Sequence, residues 1–295
     1  MQLDSFFIPV LVVVGPGLIG GSVAAALKRA GCVGKVIGVS RQHSTAQRAL
    51  ALGLIDEVAD LATATKQADV ILLATPVRAT RQLLQQIAPH LSPHTVITDA
   101  GSTKADVLQA ATEVLGAKLA QFVPGHPIAG AEKAGPEAAF ATLYQDRITI
   151  LTPHKTNSAQ AKSQVVALWE ACGARVLLMS ALEHDRVLAS VSHVPHFLSS
   201  VYMWQVASAA DADVRMRVAG SGFRDFTRIS AGSAEVWRDI FLSNKEAVLA
   251  ELQQVRMAFE QAETALREAD ETALYDFLEK AALARHLWGR RSGLE

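Results

Sequence analysis

The sequence predicts an α/β protein in two parts: an N-terminal Rossmann-like, doubly wound, mostly parallel sheet, then an all-helical segment. Three observations carry this. Short β-branched and apolar runs alternate with amphipathic helical patterns through the first 180 residues. Those runs are short and mainly apolar, as in strands covered by helices on both faces. After about Ser180 no strand pattern recurs. The expected division is residues 1–180, an α/β domain, and residues 181–295, a helical domain.

The elements follow in order. Strands are expected at Val10–Val14, Lys35–Val39, Val70–Ala74, Thr95–Asp99, Gln121–Val123, Ile148–Leu151 and Arg175–Met179. Between them, Leu18–Ala30 places Ile19, Val23, Leu27 and Ala30 on one helical face. Further helices are expected at Thr45–Leu52, Arg78–Ala88, Lys104–Leu115 and Ser158–Ala171. The second part reads as helices over Leu182–Ala209, Glu235–Ala269 and Glu271–Leu287, with the glycine-marked segment Gly220–Arg228 interrupting them. Helices rich in Ala, Leu and Val bury more than one face in either a homodimer or a packed monomeric bundle.

Composition narrows the class. Of 295 residues, 50% are hydrophobic, enough for a sizeable core, and the formal net charge is −1. With no long run of one sign, a nucleic-acid or membrane-surface partner is not expected. Cys32 and Cys172 are far apart and form no metal or disulfide pattern, which fits a reducing cytoplasm. No signal segment is read at the N-terminus, and no apolar run approaches the roughly 20 residues that span a bilayer. A small-molecule enzyme is the expectation.

Residues 10–21, VLVVVGPGLIGG, are the most informative stretch. Strand, glycine turn and helix follow in the order a dinucleotide site needs. Gly15 permits the tight turn, Gly17 lets the backbone approach a pyrophosphate, and Gly20 lets the helix pack on the strand. The amides that open the helix then face the anion. A purely structural glycine turn is the alternative. Cofactor contacts are expected at Gly15, Gly17, Leu18, Ile19, Gly20, Ser40, Arg41, Thr75 and Pro76. The second strand ends in Ser40-Arg41, where an NAD site usually presents an acid. Ser40 can donate a hydrogen bond and Arg41 can pair with a 2′-phosphate, so NADP is favoured, with NAD also possible.

Four other segments carry chemistry. In TDAGSTK (Thr98–Lys104), Ser102 follows a strand and should face the crevice, unless it merely caps the next helix. In GHPIAGAEKAG (Gly125–Gly135), His126 sits between Gly and Pro in a defined loop and suits proton abstraction from a hydroxyl. In HDRVLASVSHVPH (His184–His196), His193 and His196 share a helical face around Pro195. Substrate or cofactor contact, or capping and core hydrogen bonds around a Pro-interrupted helix, would explain the segment. A metal site with His184 or Asp185 lacks a recognisable ligand set, so no metal is expected. In GFRDFTR (Gly222–Arg228), Arg224 and Arg228 are spaced to pair with a dicarboxylate, or to form a surface ion-pair face with Asp225.

VVVGPGLIGGS, TDAGSTK, GHPIAGAEKAG, ILTP, HDRVLASVSHVPH and GFRDFTRI occur in this order between residues 12 and 229. Together they resemble the prephenate/arogenate (cyclohexadienyl) dehydrogenase family of tyrosine biosynthesis. The resemblance implies oxidative decarboxylation of prephenate or arogenate with hydride transfer to NAD(P), in a homodimer built on the C-terminal helices. It implies that His126 accepts the ring hydroxyl proton and Ser102 bonds beside it. It implies that Arg228 binds a substrate carboxylate, that Arg224, His193 and His196 line the pocket, and that Trp237 stands near it. Glu132 matches an acidic residue at the pocket entrance. The family often has Asp where this chain has Ser40-Arg41, which is the departure behind the NADP expectation. A small β-hydroxy-acid dehydrogenase would share the fold but would present a catalytic lysine. A non-catalytic nucleotide-binding regulator would have lost Ser102, His126 and Arg228.

Overall fold

In the computed structural model, which describes residues 6–131 and 133–292, six parallel strands form the central sheet. They are β1 (Ile8–Val14), β2 (Val33–Val39), β3 (Glu57–Val58), β4 (Val70–Leu73), β5 (Val96–Asp99) and β6 (Phe122–Val123), in the order β3-β2-β1-β4-β5-β6. The intervening helices are α1 (Leu18–Arg29), α2 (His43–Ala51), α3 (Leu61–Gln67), α4 (Thr80–Ile87) and α5 (Ala105–Leu115). Strand order reverses between β1 and β4, the point at which a doubly wound sheet places a ligand beyond the carboxyl ends of its strands.

The continuous apolar strands are explained by burial on both faces. Leu11, Val13, Val70 and Leu72 enter one core, with Val23 and Leu27 of α1. Their alternates Val12, Val14, Ile71 and Leu73 enter the other, with Leu84 of α4 and Val107 of α5. Each such side chain, fully buried, stabilises by about 1.5–3 kcal/mol before the entropy of ordering it.

Two short elements escaped the sequence reading. Strand β3 has only two residues, and α3 is a seven-residue, threonine-rich helix with too little periodicity to register. The Asp60 side chain caps it, accepting from the Thr63 amide at 2.9 Å.

The expectation of one sheet is corrected. Gly125–Pro127 is a strand, β7, and it joins β8 (Ile148–Leu151) and β9 (Arg175–Leu178) in a second sheet ordered β7-β8-β9. Pro124 makes the break: it has no N–H for a ladder bond, and its carbonyl accepts from the Thr152 amide at 2.9 Å. His126 therefore sits on a strand opposite Ile150, not in a loop. Helix α6 (Ala159–Ala171) lies between β8 and β9 in the chain, and its Trp169 is fully buried edge-on to Tyr144.

The helices that follow are α7 (Ala181–Leu188), α8 (Val194–Ala207), α9 (Ala212–Arg217), α10 (Ser221–Thr227) and α11 (Ala234–Ser243). The expected continuous helix over 182–209 is interrupted by a π turn at Ala189–His193. Pro195 accounts for it, because its ring would clash with the carbonyl four residues back, at Val191. The long helix expected from Glu235 is likewise two, broken at Asn244. Residues 1–245 form one compact unit and residues 246–295 another. The second unit consists of most of α12 (Lys245–Arg267) and α13 (Glu271–Ser292). Phe259, Leu266, Tyr275 and Leu278 stand exposed along these two helices. No described helix is long and apolar enough to cross a membrane.

Candidate active site

The glycine loop has the form a dinucleotide cradle requires. Gly15 has φ +93°, and a Cβ there would lie 2.4 Å from the Ala74 carbonyl oxygen. At Gly20 a Cβ would lie 2.4 Å from the Gly15 oxygen and 2.6 Å from Val13, so only glycine lets α1 approach β1 this closely. Gly17 is different: a Cβ there would meet nothing within 4 Å. It opens α1 in an extended conformation with no side-chain cap. The first turn of α1, with Leu18 and Ile19, is therefore without a side-chain cap from its N-cap residue. Tyr144 braces the same turn, its hydroxyl donating to the Ile19 carbonyl at 2.6 Å. Thr75, at the end of β4 beside Gly15, has a buried hydroxyl without a protein partner, and Pro76 follows it, exposed. Ser40 and the exposed Arg41 follow β2 on the same rim. Uncapped amides, an open glycine face and an orphaned hydroxyl all suit a phosphate-bearing dinucleotide.

After β5 the chain builds a buried polar junction. Asp99 and Lys104 form an ion pair, with relative exposures of 2% and 0%. Asp99 also accepts from the Gly101 amide at 2.8 Å and the Gly125 amide at 3.0 Å, which ties β5 to β7. Burial raises the Asp99 carboxyl against the pull of Lys104 and these amides. Ser102 lies half-buried in this turn. It does not cap α5. The cap comes from outside: Asp185 accepts from the Lys104 amide at 2.8 Å and the Ala105 amide at 2.9 Å.

His126 is half-buried on β7, its Nδ1 2.8 Å from Nε2 of His184. Nδ1 of His184 is in turn 2.7 Å from Oδ1 of Asp185. Desolvation, then repulsion from His184, Lys104 and His193, holds His126 well below its ordinary value, so its imidazole is neutral at neutral pH. Burial pushes the Asp185 carboxyl up. The His184 bond and the two amides outweigh it and keep Asp185 below the usual carboxylate range.

His193 and His196 are buried, and desolvation lowers each to about 4. Asn244 donates to the Asp185 carbonyl at 2.7 Å and lies 3.1 Å from Nδ1 of His193. His196 stacks on Trp237, with ring centroids 3.5 Å apart and planes at 14°. The two rings help line a cavity of about 450 Å³, together with Ser230, Gly232, Arg238 and Phe241. Gly232 is required there, because a Cβ would lie 2.6 Å from the Trp237 ring nitrogen. Arg228 opens the 3-10 turn that carries Ser230 and is exposed. Arg224 is 76% exposed and pairs with Asp225 at 3.4 Å, as the surface reading of that segment allowed. Glu132 lies outside the described residues. No cluster of metal-binding side chains occurs among the described residues.

The structure thus brings His126 together with His184 and Asp185, and His193 and His196 together with Trp237. Sequence reasoning missed Asp99, Lys104 and Asn244, and weighed His184 and Asp185 as metal ligands or within a segment held by capping and core hydrogen bonds; the latter is what they make. Their one signal was position, inside or beside motifs already singled out.

A doubly wound sheet, an open glycine loop and a neutral, anchored imidazole define a nucleotide-binding fold equipped for proton transfer. The chain belongs to the prephenate dehydrogenase family. The family's nucleotide-binding domain matches residues 23–178, and its dimerization domain matches residues 180–280. A cyclohexadienyl dehydrogenase of Zymomonas mobilis is 36% identical over 279 residues, covering 93% of this chain and 94% of that one. The prephenate dehydrogenase of Aquifex aeolicus, solved with hydroxyphenyl propionate and NAD+, superposes with a TM-score of 0.90 at 32% identity. That match covers 96% of this chain and 99% of the other. The arogenate dehydrogenase of Synechocystis gives a TM-score of 0.81 at 30% identity, over 95% and 99% of the two chains.

Proposed function

We infer that this chain oxidatively decarboxylates prephenate to 4-hydroxyphenylpyruvate, or arogenate to tyrosine, using NAD(P). The observation that carries this reading is the neutral His126, anchored through Nδ1 with its other ring nitrogen left available. His126 takes the proton of the ring C4 hydroxyl as the C4–O bond gains carbonyl character. The bound nicotinamide supplies the acceptor for the hydride that leaves C4. Carbon dioxide departs from C1, its bonding electrons restore the aromatic ring, and His126 returns the proton to the phenolic oxygen. Substrate, NAD(P)+ and products then balance with no net proton. Aromatisation supplies the driving force, so the protein's main task is positioning. Ser102 bonds beside the hydroxyl, and Arg228 pairs with a substrate carboxylate. His196 and Trp237 line the remainder of the pocket, with His193 edge-on to the Trp237 ring.

NADP is favoured and NAD allowed, because β2 is followed by Ser40 and an exposed Arg41 with no acid to repel a 2′-phosphate. Arg41→Ala should raise the KM for NADP far more than that for NAD; equal effects would remove Arg41 from cofactor choice. The exposed apolar side chains of α12 and α13, in the part matched by a dimerization domain, support a homodimer. The deciding experiment is kcat/KM for prephenate and arogenate, each with NAD and NADP, followed by reduced-nicotinamide absorbance. Turnover of either substrate upholds the reading, and the ratios assign substrate and cofactor. Turnover of neither overturns it.

A further inference from the structure

His126 is one end of a buried chain. His184 has a relative exposure of 0% and Asp185 of 4%. Asp185 is held from several sides: by the two opening amides of α5, by the His184 ring, and through its backbone by Asn244. It cannot swing away without orphaning the α5 amides. An ionised carboxylate only accepts, which assigns the His184 proton to Nδ1. With its one proton placed there, the His184 ring offers a lone pair at Nε2, 2.8 Å from Nδ1 of His126, and this assigns the His126 proton to Nδ1. Nε2 of His126 is left bare. A neutral imidazole free in water prefers the opposite tautomer, with its proton on Nε2, so the bare Nε2 has to be imposed.

We propose that His184 and Asp185 are positioning residues that impose it: they select the His126 tautomer whose Nε2 is the proton acceptor, and they hold its ring. When Nε2 takes a proton, the substrate O–H bond breaks and an N–H bond forms. The charge stays on the His126 imidazolium, whose Nδ1–H remains bonded to His184, and nothing passes on to Asp185. The catalytic part rests on His126 being the base; the tautomer part does not.

The test is 15N NMR of histidine-labelled enzyme at neutral pH, with His126 assigned by its loss in His126→Asn. The expected signature is a protonated Nδ1 and a bare Nε2. In His184→Phe the His126 proton should shift toward Nε2, and kcat should fall about 10- to 1000-fold while dinucleotide Kd and substrate KM change less than about twofold. His184→Gln has an amide that can accept from His126 and donate to Asp185. It should restore the tautomer and about tenfold or more of the lost kcat. An Nε2–H tautomer in the unsubstituted enzyme overturns the proposal, and so does a His184→Phe variant with both tautomer and kcat unchanged. Should His184→Phe fail to fold, the unsubstituted spectrum and His184→Gln still decide. Lack of turnover alongside the expected tautomers would count against the proposed reaction and leave the tautomer assignment standing.

Discussion

Adding one methyl group at Gly17 separates the two readings of the glycine loop. In Gly17→Ala the new Cβ meets no protein atom within 4 Å, and the backbone there is extended, with φ −89° and ψ −151°. Alanine is a poorer N-cap than glycine by up to ~1 kcal/mol, while the stiffer unfolded chain returns roughly 0.4–1 kcal/mol. The net effect on the free protein is near zero. The open space has a different meaning once a pyrophosphate must lie against that backbone. The methyl group then intrudes into a packed contact, at about 1–3 kcal/mol. That is a rise in dinucleotide Kd of roughly 5- to 150-fold. Gly20→Ala is the control. Its Cβ would lie 2.4 Å from a carbonyl oxygen of the same loop, a backbone clash that no side-chain movement relieves. Melting should fall by several degrees, at roughly 2–4 °C per kcal/mol. Calorimetric titration with NAD and NADP, and a thermal melt of each variant, provide the comparison. If Gly17→Ala binds dinucleotide as the parent does, the open face is not the cofactor's and the loop is only a turn.

Three further outcomes are expected. His126→Asn should lower kcat by about 10²–10⁴-fold with dinucleotide Kd unchanged; near-normal turnover would dismiss it as the base. Lys104→Met leaves the Asp99 carboxyl buried without its cation and should cost about 3–5 kcal/mol in urea unfolding. A loss below about 1 kcal/mol would mean that the Gly101 and Gly125 amides suffice for Asp99. Stability should also fall on acidification between pH 6.5 and about 4, because His193 and His196 titrate at about 4 when folded and near 6.5 when unfolded. In that window the unfolded chain binds more protons, so stability rises with pH and levels off above it. His193→Gln and His196→Gln should flatten the slope, and an unaltered slope would assign it to other groups.

The β1–glycine–α1 unit was legible because every part of it is local. Five apolar residues, three glycines and a helical period lie together between Val10 and Ala30 and need no distant partner to be recognised. Most of the six-stranded sheet was legible for a related reason, since burial on both faces gives β1 and β4 unbroken apolar runs, while the two-residue β3 left no such mark. The second sheet was not. Gly125–Pro127 has three residues, two of them poor strand formers, and becomes a strand only because Ile148–Leu151 lies beside it. The π turn before Pro195 and the break at Asn244 likewise depend on backbone bonds that a 3.6-residue period does not reveal.

The candidate site divides the same way. From sequence alone came the individual groups: the glycines, Ser102, His126, His193, His196 and the two arginines, each marked by its residue type and by its neighbours in the chain. Tertiary structure alone decided which of them act on one another. His126 and His184 are 58 residues apart, and Asp185 reaches the Lys104 amide across 81. No spacing rule links such pairs. What links them is the cost of burying polar groups without partners: folding brings a histidine, a carboxylate and the open end of α5 into one water-poor junction, and they satisfy one another there.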